Sequence, residues 1–81
     1  MPSKQKKAPE KLASKLLAIR EGLGLSQSEM VRRLGVESEI NRGKISEYER
    51  GQRIPPLHIL LAYARSKNLT VESLIDDEIE I

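Results

Sequence analysis

Between Leu25 and Pro55 the chain alternates helix-starting and helix-stopping residues so closely that two short helices and a turn are nearly all that fits. The stretch reads LSQSEMVRRLGVESEINRGKISEYERGQRIP. Ser26 and Glu29 have the S-x-x-E spacing of a capping box, in which a hydroxyl and a carboxylate satisfy N–H groups left without partners at a helix start. Leu25, just before the cap, is placed to staple onto Met30. Met30, Val31 and Leu34 supply a short buried stripe, and Gly35 closes the helix. Gln27 falls in its first turn, beside exposed N–H groups, where a side chain reaches a nearby phosphate. The plainer reading of Gln27 is a good helix former on a wet surface. Asn41 suits the cap of a second helix over residues 42–50, with Ile45 and Tyr48 inward and Gly51 as its end. Arg42, Lys44, Ser46 and Glu47 then point outward. Gly43 is unusual in a helix, where it costs about 1 kcal/mol against alanine. Either it permits close backbone approach to a ligand, or it belongs to the turn and the helix begins at Lys44.

The flanks carry the same punctuation. Pro9 fits the first position of a preceding helix, with Glu10 favouring its positive end. Leu12, Leu16, Ile19 and Leu23 share one face, Lys11, Lys15 and Arg20 fall off it, and Gly22 is expected to stop it in a left-handed conformation, with Gly24 following. Beyond the loop Gln52, Arg53, Ile54, the pair Pro55 and Pro56 bars continuation and opens a fourth helix. Its expected buried stripe is Leu57, Leu60, Leu61 and Ala64, flanked by Tyr63. Asn68 is a left-handed stop. Thr70 caps a fifth helix carrying Val71, Leu74 and Ile75. Five short helices without a strand pattern predict an all-α bundle. Its expected span is 9–76, between a flexible basic tail at 1–8 and an acidic tail at 77–81.

Composition narrows the function classes. Eighty-one residues hold one domain. There is no cysteine, and His58 is the single histidine, so neither disulfides nor a structural zinc site are expected. The run Asp76, Asp77, Glu78, Glu80 lacks the ligand spacing and central glycine of a calcium loop. No Gly-rich phosphate loop follows a strand, and His58, among Leu57, Ile59 and Leu60, reads as a boundary residue and not a general base. No enzyme, cofactor or metal is therefore expected. No apolar run approaches the roughly 20 residues of a membrane span. The opening MPSKQKK lacks the apolar block of a secretory signal, so a cytoplasmic place is expected. Net charge is +2, but residues 1–53 hold 12 Lys/Arg against 7 Asp/Glu, while residues 54–81 hold 2 against 5. That asymmetry suggests a basic face toward a polyanion. With two Tyr, no Trp and no Phe, the chain lacks the aromatic platforms that stack single-stranded bases. Duplex DNA needs none. Lys4, Lys6 and Lys7 form either a solvated tail or an arm that touches phosphates. Ile79 and Ile81 hint at packing against a partner subunit.

The ordered pattern L-S-Q-x-E-x-x-x-x-L-G-V, then I-S-x-x-E-R-G-x-R-x-P, then N-L-T-V-x-x-L-I resembles the Cro/phage-repressor type helix-turn-helix family, also called the XRE family. Leu25, Ser26, Gln27, Glu29, Leu34, Gly35, Val36, Ile45, Ser46, Glu49, Arg50, Gly51, Arg53, Pro55, Leu60, Leu61, Leu69, Val71 and Leu74 carry the match. The resemblance implies a five-helix, lambda-repressor-like DNA-binding domain whose third helix is the recognition helix. It puts Asn41, Arg42, Gly43, Lys44, Ser46 and Glu47 at base edges and nearby phosphates, Gln27 at a phosphate, and Arg53 in the loop along the backbone. It gives Glu49 a structural part. The chemistry agrees: Arg suits guanine, Asn suits adenine, and Lys serves guanine or phosphate.

One departure stands out. From Gly35 to Ile45 the chain is about four residues longer than the family spacing, in which the turn takes about three or four. Either the turn bulges, with Ile40 tucked toward the core, or Ser38 caps a longer recognition helix starting at Glu39. The second choice brings Glu37 and Glu39 close to phosphates, which is unfavourable. The function expected is sequence-specific duplex-DNA binding by a transcriptional regulator, probing the major groove with residues 41–50. A homodimer is expected, since one short helix reads few bases. The alternatives are an antitoxin or phage-type repressor with a small protein partner such as a toxin, and a protein-interaction module that has kept the fold.

Overall fold

The computed structural model describes residues 9–81. The basic tail expected at 1–8 lies outside the described residues. Five helices follow in order: α1 Leu12–Leu23, α2 Gln27–Leu34, α3 Arg42–Glu49, α4 Leu57–Ser66 and α5 Val71–Ile75. No strand occurs among the described residues. The all-α, five-helix expectation holds.

One core serves all five helices. Leu16, Ile19, Met30, Ile45, Ile59, Tyr63 and Leu74 are its largest fully buried side chains. Each buried aliphatic side chain contributes roughly 1.5–3 kcal/mol relative to exposure, and a chain this short has no second core to draw on. α3 packs on α1 and α2, α2 also meets α4, and α5 closes against α1 and α4. The supports of α3 are thus behind it, and its other side is open.

Several expectations need correction. Pro9 does not begin α1. Residues 10–11 form a turn, and the helix starts at Leu12. Gly22 lies inside α1, and Gly24, with φ of 72°, is the left-handed stop. Lys15, expected on the outer face, is buried, and its ammonium donates to the carbonyls of Ser73 at 2.7 Å and Asp76 at 2.9 Å. It satisfies carbonyls at the end of α5, where a cation is favoured by the helix dipole. In α4 the buried stripe is Ile59, Leu60, Tyr63 and Ala64, whereas Leu57 is 71% and Leu61 38% exposed. α4 is apolar on most sides, so its neighbours and not its periodicity decide which side turns in. Ile75 is also exposed.

The end of the chain runs back to the start of α1. Lys11, the N-cap of α1, makes no side-chain cap bond. Instead the backbone N–H groups of Glu10 and Lys11 donate to the two carboxylate oxygens of Asp77, at 2.9 and 3.0 Å. These bonds hold the Asp77 carboxyl below its ordinary pKa. Ile79, half-buried, lies beside α1, while Ile81 remains exposed.

Candidate nucleic-acid interface

The capping box of α2 forms as expected. Ser26 Oγ accepts from the Glu29 N–H at 3.0 Å, and Glu29 Oε1 accepts from the Ser26 N–H at 2.8 Å. The second of these bonds is the main reason the Glu29 carboxyl lies below its usual pKa. α2 ends at Gly35 with φ of 75°.

The lengthened turn bulges. Val36 is buried, and its carbonyl accepts from Glu39 at 2.9 Å and Ile40 at 3.1 Å, which curls residues 37–39 into a compact turn. Ile40 is half-buried against the core. Ser38 caps nothing, and α3 starts only at Arg42. Asn41 is its cap, with Oδ1 accepting from the Gly43 N–H at 3.0 Å. The turn is tied to α4 by Glu39, whose Oε1 lies 2.7 Å from His58 Nε2. Both side chains are exposed, so the pair positions the turn without stabilising the fold much.

Behind α3 sits a polar strut. The Glu49 carboxylate accepts from Arg20 Nε at 2.6 Å, Arg20 Nη2 at 3.0 Å and Gln27 Nε2 at 3.1 Å. Arg20 Nη1 donates to the Leu25 carbonyl at 2.9 Å. One carboxylate thus joins α1, α2 and α3, and the bond to it holds the Arg20 pKa above its ordinary value. A two-pronged Arg–carboxylate contact fixes orientation as well as distance, so the strut sets the stance of α3.

In front, Gln27, Asn41, Arg42, Gly43 and Ser46 line one open depression between the N-terminal ends of α2 and α3. These are the residues expected at base edges and a phosphate. A Cβ on Gly43 would stand 3.2 Å from Asn41 Oδ1 and crowd the cap, which gives the glycine a local reason. The other three expected residues form an adjoining cluster. Glu47 accepts from Arg53 Nε at 2.9 Å, and Lys44 Nζ lies 3.5 Å away. Arg53, and to a smaller extent Lys44, hold the Glu47 carboxyl below its usual pKa. Lys44 and Arg53 therefore share an acid, and Gln27 spends one amide N–H on Glu49. Sequence reasoning missed two residues here. Ser28 and Arg32, one turn apart on α2, line a second depression with Val31, Glu37, Asn41 and Arg42. Their i, i+4 spacing on the outer side of α2 was the available signal.

A family model described as a helix-turn-helix domain matches residues 11–73. The chain belongs to the helix-turn-helix domain family. Among solved structures, this domain is similar to the P22 c2 repressor protein, crystallised with synthetic operator 9T in the presence of Tl+. That match has 21% identity and a TM-score of 0.70, over 82% of this chain and 94% of the other. It is also similar to the hypothetical transcription factor NHTF from Neisseria, at 22% identity and a TM-score of 0.65, over 90% of this chain and 86% of that one. No curated protein matches the chain by sequence. The helix-turn-helix domain is thus of the Cro/phage-repressor type in fold, and the family supports a non-enzymatic part in DNA-binding transcription regulation. No helix among the described residues is long and apolar enough to cross a membrane.

Proposed function

We propose that the chain binds duplex DNA sequence-specifically as a transcriptional regulator, acting as a repressor, and sets the N-terminal half of α3 in the major groove. The observation that carries this reading is the convergence of Gln27, Asn41, Arg42, Gly43 and Ser46 on one open depression. Helix-turn-helix proteins read base edges with the first residues of the recognition helix while the preceding helix crosses the backbone. Arg42 is exposed and suits guanine, and the Asn41 amide N–H groups remain available while Oδ1 caps the helix. Gly43 lets the backbone come close, Ser46 adds a short polar contact, and Gln27 meets a phosphate through the amide N–H that Glu49 leaves free. Lys44, Glu47 and Arg53 lie along the same side, with Arg53 on the backbone once it leaves Glu47. A cytoplasmic place goes with this work.

A homodimer on a two-fold site fits the short reading surface, with half-sites about one helical turn apart. Exposed Ile54, Leu57 and Leu61 favour some protein contact near the exit of α3, with a second copy or with a small partner such as a toxin. The test is selection of duplexes from a random pool, followed by titration at two salt concentrations. Enrichment of one sequence, affinity that falls with salt, and loss of selectivity in Arg42→Ala are the expected results. Absence of binding at low salt would sink the reading.

A further inference from the structure

The sequence placed the cationic contacts of this surface on Arg42, Lys44 and Arg53, but Lys44 and Arg53 are tied to Glu47. Among the described residues, neither Arg32 nor Arg42 makes an ion pair or side-chain hydrogen bond. Both are exposed. They line one depression with Ser28 and Asn41, on the side of α2 that the lengthened turn borders. Asn41 and Arg42 also belong to the depression that carries Gln27 and Ser46. The two hollows therefore adjoin at these residues, and a duplex seated on one lies beside the other.

Resting on the DNA-binding reading, we propose that Ser28 and Arg32 form a second phosphate contact, flanking the recognition helix on the side of the inserted turn. The guanidinium offers a planar fork of N–H donors that suits a phosphate. Ser28 adds a short hydroxyl one turn earlier on the same side of the helix. Glu37, from the insertion, lies in the same depression without an ion pair among the described residues. It opposes the incoming phosphate and sets how strongly the site holds. Glu29 is the other acid near Arg32; its carboxylate accepts from the Ser26 N–H and acts on Arg32 through space, without an ion pair. The turn's remaining acid, Glu39, is drawn off to His58. The insertion thus leaves one of its two acids at the contact and pins the other away from it.

The test uses the full chain and two duplexes, one recovered from a random pool by the wild type and one of unrelated sequence, titrated across a salt series. Arg32→Ala should weaken binding to both by roughly five- to tenfold at low salt, and the slope of log affinity against log salt should become shallower by about 0.9. Arg32→Lys should keep the wild-type slope, since charge sets it. Glu37→Gln should tighten both complexes by about two- to fivefold as one repulsive charge is removed. An unchanged melting temperature for each variant excludes misfolding as the cause. Arg32→Ala with wild-type affinity and slope overturns the proposal, as does a loss confined to the selected duplex, which marks base readout. Unchanged binding by Glu37→Gln overturns the part given to the acid. Failure of the wild type to bind either duplex removes the DNA-binding reading itself and is distinct from these outcomes.

Discussion

The two sides of α3 are held by different physics. Its inner side is bound by interactions that reach far along the chain: Ile45 and Tyr48 in the core, and Glu49 clasped by Arg20 and Gln27. Its outer side begins with one local cap, Asn41 to Gly43, and displays exposed or half-exposed polar groups. The contrast separates stance from contact. A recognition surface can vary in chemistry provided the strut behind it keeps the helix at one inclination. Changes to the inner side should therefore act on stability, and changes to the outer side should act on binding.

The largest effect expected is from Glu49→Ala. It strands the Arg20 guanidinium and the Gln27 amide in a partly buried place, and losing one partner of such a pair costs about 3 kcal/mol. Urea unfolding measures it, and a loss below about 1 kcal/mol, the scale of an exposed pair, would erase the distinction between the two sides. Asn41→Ala should cost about 1 kcal/mol by removing the cap, and it should weaken duplex binding beyond that, because the first turn of α3 frays where the proposed contact lies. Equal binding by this variant and the wild type would deny that the outer side begins at the cap.

Asp77 extends the comparison to pH. Its folded pKa is depressed by the Glu10 and Lys11 N–H bonds, so its contribution is fully present above the unfolded carboxyl range and is lost as pH falls through the folded value. Melting temperatures of wild type and Asp77→Asn should differ at neutral pH and converge toward pH 2. A gap that persists in acid would mean that the carboxylate charge is not what caps α1. The smallest effect belongs to Tyr63→Phe. The Tyr63 hydroxyl is buried without a hydrogen-bond partner among the described residues, and burial pushes its pKa well up. Removing it should leave stability unchanged or raise it by up to about 1 kcal/mol, marking it off from the polar groups of the strut. A clear destabilisation would show that the hydroxyl has a partner after all.

What was legible in the sequence was what is local. Ser26 with Glu29, Asn41, Thr70, Gly35 and Asn68 act within a few residues of themselves, and each occupies the cap or stop its chemistry implies. The bulge was also readable, because Val36 and Ile40 are apolar residues that seek the core on either side of three polar ones. Long-range contacts were not readable. Lys15 looked like an outer-face lysine because its two carbonyl partners lie 58 and 61 residues away. Asp77 looked like part of a solvated acidic run because the N–H groups it caps lie 66 and 67 residues back. Leu57 and Leu61 were misread because α4 offers apolar side chains in several directions. At the candidate site, residue types pointed to Arg42 and Asn41, but only geometry separated exposed Arg32 and Arg42 from Lys44 and Arg53, which share Glu47.

Asp77 also closes the domain into a loop. With residues 10–11 bonded to residue 77, the chain's order of connection matters less than its contacts. A short linker across that gap, with new ends opened at exposed Lys67 and Asn68, would give a circular permutant. Such rearrangements succeed at exposed loop tips when the original ends lie close together. In it α5 would precede α1, while Arg20, Gln27 and Glu49 would keep their order and spacing.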